Sequence, residues 1–291
     1  MSNLEKLVDT SVYILRETEA QFKNPCVLWS TGKDSTVMLS LIRESFFGEV
    51  PWDVVHIDTG WKFPEIYEFR DGMSKEWNLP LVVATSPLAG KVNPKFGNIS
   101  HERCCQKLKT DTLRSIIEEK GYDAVVVSIR RDEHYMRNLE RVSSPRDKKF
   151  KWNFLRRKKR NEKGDSPFEP LQDTELWNLY ASDFGEVHHV RRHAILHWSE
   201  VDVWEYIKSR NLPYNPLYRA DYVANAYSEF KGQRFRSLGC KTCTFPVCSG
   251  ASEVDEIISE IKIAKVPERS GRVQDKEKEQ VMRKLRALGY P

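Results

Sequence analysis

Apolar residues recur at helical spacing from the start of the chain. Leu4, Leu7, Val8, Val12, Ile14 and Leu15 mark an amphipathic helix over residues 3–23. An apolar run, Cys26-Val27-Leu28-Trp29, then gives way to a Ser/Gly/Asp-rich turn, and helical spacing resumes at Val37, Met38, Leu41 and Ile42. The pattern predicts a buried strand, a tight loop and a helix over about 35–47. The same alternation follows downstream, with strands expected at 54–57, 81–85, 124–128 and 190–196. Helices are expected early after residue 63 (Ile66, Tyr67, Phe69, Arg70), over 108–119, and from Ser199, an N-cap with Asp202 three residues on. Residues 164–185 read as loop or weak helix, and 252–289 as a charged, helical tail.

Near-continuous apolar strands alternating with helices imply an α/β fold, a doubly wound and mostly parallel sheet covered on both faces. Ligands of such sheets sit beyond the carboxyl ends of the strands. Three polar constellations fall there: the loop Ser30-Thr31-Gly32-Lys33-Asp34-Ser35-Thr36, the turn Asp58-Thr59-Gly60, and Ser128 to Glu133 with Arg130 and Arg131. Gly32 is expected to let the loop turn sharply, with its hydroxyls and the free N–H groups of the helix start facing an anion, naturally a phosphate chain. The loop is not a Walker A sequence, which needs G-x-x-x-x-G-K-[ST]. An ordinary N-capped turn would use the same residues, and Arg130 and Arg131 could equally form a surface network with Asp132 and Glu133. The convergence of all three constellations is what favours a nucleotide site.

At 291 residues and 40% hydrophobic content the chain can hold one large domain with an appendage. The division expected is 1–215, including a basic insert at 146–185, and a C-terminal extension at 216–291 that packs on it. No apolar run approaches the ~20 residues of a membrane span, and the first ten residues carry no signal-peptide core. A cytoplasmic protein is expected, in which the six cysteines favour metal, cluster or redox chemistry over disulfides. Lys plus Arg exceed Asp plus Glu by 47 to 42, and much of the excess lies in 148–163. There Lys148, Lys149, Lys151, Arg156, Arg157, Lys158, Lys159 and Arg160 interleave with Phe150, Trp152 and Phe154. Cations for phosphate and rings for unpaired bases suit nucleic acid. A solvated charged loop or a protein-docking surface has the same composition.

The order of motifs resembles the PAPS reductase-like ATP pyrophosphatases, whose fold is adenine nucleotide alpha-hydrolase-like. The carrying segments are Ser30 to Ser35, Asp58 to Phe63, Tyr67 to Asp71, Arg130 to Glu133, Glu140-Arg141, Trp198 to Trp204, Phe235 to Cys240 and Glu268 to Val273. They span nearly the whole chain, and are most similar to the small subunits of sulfate adenylyltransferases. The resemblance implies an enzyme that cleaves ATP between the α and β phosphates and leaves AMP on its substrate. ATP would be held by Ser30, Thr31, Gly32, Lys33, Asp34, Ser35, Thr36, Asp58, Thr59, Gly60, Arg130 and Arg131. Lys33, Asp34, Arg130 and Arg131 would act in catalysis, and Mg²⁺ would bridge the phosphates with help from Asp34.

Two departures bear on the substrate. Cys104-Cys105 with Cys240-x-x-Cys243 resembles the [4Fe–4S] ligand set of adenylylsulfate reductases; zinc or plain thiols are the alternatives. No cysteine follows Cys248, which argues against a conventional reductase with its nucleophile on a C-terminal tail. Cluster-type cysteines and the basic insert also resemble the ATP pyrophosphatases of DNA phosphorothioation. Sulfur incorporation into the DNA backbone is therefore the leading expectation, with a cysteine desulfurase and DNA as partners. The alternatives are the small subunit of a sulfate adenylyltransferase, with a GTPase large subunit, and an adenylylsulfate or PAPS reductase-like enzyme. An oligomer is expected in each case.

Overall fold

The structure is a computed structural model that describes residues 2–133, 137, 140–151, 179–264, 268 and 269, together with the backbone of 155–157, 168–170, 270 and 271. Its centre is a six-stranded sheet of order β3-β2-β1-β4-β8-β5. The strands are β1 (Pro25–Leu28), β2 (Asp53–Asp58), β3 (Leu81–Thr85), β4 (Ala124–Val126), β5 (Ser143–Arg146) and β8 (His189–Arg192). All pair in parallel except the edge strand β5, which runs antiparallel to β8. β1 and β4 are buried at every position, as their unbroken apolar runs require of strands covered on both faces. The chain order reverses between β1 and β4, which opens a crevice at their carboxyl ends.

Helix α1 (Asn3–Gln21) starts with a Ser2/Glu5 capping box and packs on α2 (Lys33–Ser45). Helix α3 (Pro64–Glu76) connects β2 to β3. The helix expected over 108–119 is longer and interrupted. It comprises α4 (His101–Cys105), a π-helical turn (Gln106–Thr110) and α5 (Asp111–Lys120). The Ser100 hydroxyl caps its start by accepting from the Arg103 amide at 3.3 Å, and the buried Cys104 and Cys105 supply an inward face without Leu or Val. The strand expected to run to residue 196 stops at Arg192, because the chain turns back there: His193 N–H donates to Val142 and Leu196 N–H to His193. Within the insert, β6 (Leu155–Arg157) and β7 (Phe168–Pro170) form an antiparallel pair; loop or weak helix was expected at β7. Helix α6 (Glu200–Ser209) carries the Ser199/Asp202 capping box read from the sequence.

Residues 216–264 share the core of the sheet. They hold α7 (Ala220–Ala226), a two-stranded β9–β10 hairpin (Gln233–Arg234, Val247–Cys248) and α8 (Val254–Ile263). Leu217, Tyr218, Phe235 and Ile257 are buried in the same apolar cluster as β1 and α2. Among the described residues no helix is long and apolar enough to cross a membrane.

The β2–α3 turn pivots on Gly60, at φ +70°, where a Cβ would lie 2.5 Å from the Gly90 nitrogen. Gly60→Ala therefore meets both a disfavoured backbone region and a backbone clash, a cost of about 1–3 kcal/mol. A thermal melt should show a clear drop in Tm, and an unchanged Tm would contradict this account of the turn.

Candidate active-site cleft

The β1–α2 loop is shaped by Thr31, which adopts φ 65°. Gly32, expected to make the sharp turn, is ordinary extended backbone at φ −76°, ψ 164°. A buried β-branched residue in the left-handed region is strained by about 1–3 kcal/mol. Here it is held by its own hydroxyl, which donates to the Ser30 carbonyl at 2.6 Å. The Ser30 and Ser35 hydroxyls lie 3.1 Å apart and bond each other, while Ser35 also donates to the Gly32 carbonyl at 3.1 Å. Thr36 faces inward and accepts from the Trp29 indole at 3.2 Å. The first amides of α2 have no intrahelical acceptor; that of Lys33 donates to the Tyr218 hydroxyl at 3.0 Å.

This loop borders a cleft of about 170 Å³ at the carboxyl ends of β1, β2 and β4. Leu28, Val55, Ile57, Val127 and Ile129 make its apolar side, and Ser30, Gly32, Asp34 and Ser35 its loop side. Four cationic residues border it, Lys62, Lys109, Arg137 and Arg269, with Glu133 among them. Glu133 holds two of these: Arg137 donates to Oε2, and Arg269 Nη1 to Oε1 at 3.0 Å.

Lys33 and Arg130, expected at the phosphates, lie in a buried network beside the cleft and do not line it. The Lys33 ammonium pairs with Glu268, with Asp34 at 3.5 Å and with Glu200 at 3.7 Å. The Arg130 guanidinium pairs with Asp34 at 2.6 Å, Asp132 at 2.7 Å and Glu268. Arg236 pairs with Glu200 at 2.7 Å. Burial disfavours the charge on Lys33, but Asp34, Glu268 and Glu200 outweigh it and hold its pKa well above the usual range. Burial likewise opposes ionisation of Asp34, and Arg130 and Lys33 overcome it, so its pKa is lowered. Glu268 is pushed up to about 7, by burial first and by Glu200 and Asp34 beside it, against the pull of Lys33 and Arg130. Four carboxylates share three cations in this network among the described residues. The Arg131 guanidinium donates to the Glu140 carbonyl at 2.9 Å.

Asp58, Thr59 and Gly60, expected beside the adenosine, do not line the cleft; their neighbours Ile57 and Lys62 do. Asp58 accepts from the Gly60 amide at 2.8 Å and the Tyr67 hydroxyl at 2.9 Å. The Thr59 hydroxyl lies 3.3 Å from Cys240 Sγ and faces a second, smaller pocket. That pocket brings together Cys104, Cys105, Cys240 and Cys243, with His101 at its wall. Burial, then Cys240 and Cys243, push the Cys104 thiol up to about 11; burial, against Lys109, takes Cys105 up to about 12. Among the described residues no three His, Cys, Asp or Glu side chains are arranged to hold a single metal ion.

Lys148, Lys149 and Lys151 are exposed, on a turn whose Lys149 and Lys151 amides donate to Asp147 at 2.8 and 2.9 Å. Phe150, read as a surface ring, is buried against His188 and His189. The side chains of Arg156 and Arg157, and all of Trp152, Phe154, Lys158, Lys159 and Arg160, lie outside the described residues. Sequence reasoning assigned no role to Arg137, Lys109, Arg269 or Glu268. The last two sit in a segment, Glu268 to Val273, singled out for its motif alone.

A doubly wound sheet with a hydroxyl-rich loop at its switch point and cations across the cleft defines the class of α/β nucleotide-binding folds. A FMN adenylyltransferase from Candida glabrata shares this fold, with a TM-score of 0.53 at 16% identity, over 93% of this chain and 87% of that one. Residues 24–246 match the phosphoadenosine phosphosulfate reductase domain family, and the chain belongs to that family. Full-length relatives include sulfate adenylyltransferase subunit 2 of Pseudomonas paraeruginosa, 35% identical over all of this chain and 98% of the relative. The subunit 2 of Allorhizobium ampelinum is 36% identical over 99% of this chain and 93% of its own.

Proposed function

We propose that this chain is the ATP-cleaving subunit of a sulfate-activating enzyme. Sulfate attacks the α-phosphate of ATP, a new phosphorus–oxygen bond forms, and the bond to the β-phosphate bridging oxygen breaks. The products are adenylylsulfate and pyrophosphate. The observation that carries this reading is the cleft, apolar on the strand side and bordered by the α2 loop and four cationic residues. End-to-end similarity to sulfate adenylyltransferase subunit 2 supports the sulfate-activation reading over phosphorothioation, the reading that the cysteines and basic insert first favoured.

In this account the apolar side takes the purine and the α2 amides take the outer phosphates. Arg137 and Arg269 offer planar donors to the reacting phosphate and the incoming oxyanion, where charge accumulates. Lys33 and Arg130 shape the loop from beneath. Asp34 fits a Mg²⁺ site: its carboxylate is ionised, lines the cleft, and one carboxylate beside substrate phosphates suffices for that ion. The metal would supply charge neutralisation on the phosphates. A GTPase large subunit would be the partner, in an oligomer in the cytoplasm.

The test is pyrophosphate release from ATP with sulfate or DNA added, with and without a GTPase large subunit and GTP. Stimulation by sulfate is expected. Stimulation by DNA and not sulfate would overturn the proposal in favour of sulfur insertion into the DNA backbone, with a cysteine desulfurase as donor.

One observation keeps that second reading alive: the four cysteines gathered in a pocket whose wall, Lys109, is shared with the cleft. Four soft thiol donors lining one pocket suit a [4Fe–4S] cluster. Such a cluster would supply a rigid, redox-active centre against the cleft. Anaerobically purified protein should then contain iron and sulfide and show a broad visible charge-transfer band. Cys240→Ser should lose both signals, and iron-free, colourless protein would contradict the cluster.

A further inference from the structure

Beyond α8 the described chain re-enters the site at two consecutive residues, Glu268 and Arg269, which do different things there. The Glu268 carboxylate splits its oxygens between two cations, Oε1 to Lys33 and Oε2 to Arg130. All three side chains are buried, with exposures of 4%, 1% and 0%. Lys33 is the first residue of α2 and its amide is held by Tyr218, so this grip fastens directly to the β1–α2 loop. Arg130 lies past the end of β4, on the opposite bank of the switch-point crevice. Arg269, next in the chain, lines the cleft and donates to Glu133 from the side opposite Arg137.

From this geometry we infer that Glu268 is a positioning residue. It latches the C-terminal segment across the switch point and thereby presents Arg269 to the oxyanion end of the cleft. The inference rests on the adenylyl-transfer reading above and adds the residue that fixes the acceptor end. Glu268 is suited to this role because the buried network does not need its charge. With Glu268 the described network has one carboxylate in excess; without it Lys33, Arg130 and Arg236 still face Asp34, Asp132 and Glu200. Glu268→Gln therefore leaves no uncompensated buried cation, and the fold should survive it.

The experiment compares Glu268→Gln, Arg269→Ala and the double variant in the sulfate-dependent pyrophosphate assay, alongside binding of an α,β-methylene ATP analogue. Loss of the latch should raise the KM for sulfate about tenfold or more, with affinity for the analogue within about threefold of the unaltered protein. Because Glu268 acts through Arg269, the double variant should be no worse than Arg269→Ala alone. A purely structural role for Glu268 would lower Tm and weaken both substrates together. An unchanged sulfate KM in Glu268→Gln, or effects of the two substitutions that multiply, would overturn the inference. Failure of the unaltered protein to bind the analogue would instead remove the adenylyl-transfer reading, and this inference with it.

Discussion

Lys33→Met should destabilise the protein by about 3–5 kcal/mol, the scale for removing one partner from a buried ion pair, and abolish ATP-dependent pyrophosphate release. The ammonium is the only cation that touches Glu268, Asp34 and Glu200 together among the described residues. Without it Arg130 and Arg236 are left to balance four carboxylates, in a place where unpaired charge is costly. Lys33 is also the first residue of α2, so the disturbance reaches the loop that would hold phosphate. Denaturant unfolding checks the first effect and the pyrophosphate assay the second. A variant with the unfolding midpoint of the unaltered protein would show that the network is not the structural anchor described here. Glu268→Gln, which evens the charge count, should be far milder, and the contrast separates a charge-balance effect from simple loss of contacts.

Arg137→Ala should lower kcat/KM for pyrophosphate release by about 10²–10³, the loss typical when a donor to developing oxyanion charge is removed. Stability should change little, because Glu133 keeps Arg269 as its partner and is not stranded as a buried carboxylate. Arg131→Ala is the informative control. Its guanidinium is committed to the Glu140 carbonyl and it does not line the cleft, so activity should fall much less. If Arg131→Ala proves the more damaging of the two, the assignment of the cleft's cations is wrong.

Much of the sheet was legible because its parallel strands are short apolar runs separated by turn residues: β1, β2, β3 and β4 all lie within a residue or two of their expected places. The edge strand β5, Ser-Ser-Pro-Arg, has no such run; it exists because β8 offers it an antiparallel partner, a tertiary effect invisible to local pattern. The cleft's place beside the β1–α2 loop was legible; which side chains line it was not. The motif marked Lys33 and Arg130, but whether a side chain faces ligand or core depends on which acids surround it. Two of those acids, Glu200 and Glu268, lie far along the chain. Arg269 was missed for the same reason, since only the folded chain brings residue 269 beside residue 133. The Gly32 expectation failed locally: a glycine in a turn invites the left-handed assignment, yet Thr31 bears it. The four cysteines were grouped by their resemblance to a cluster ligand set, and the structure collects them in one pocket.

The most direct measurement is a crystal structure of the protein with an α,β-methylene ATP analogue. The account predicts the adenine against Leu28, Ile57 and Val127, the phosphates at the β1–α2 loop and the first turn of α2, and the α-phosphate turned towards Arg137, with Arg269 beyond it at the acceptor end. An empty cleft with the Ser30 and Ser35 hydroxyls still bonded to each other, or a nucleotide bound elsewhere, would contradict it.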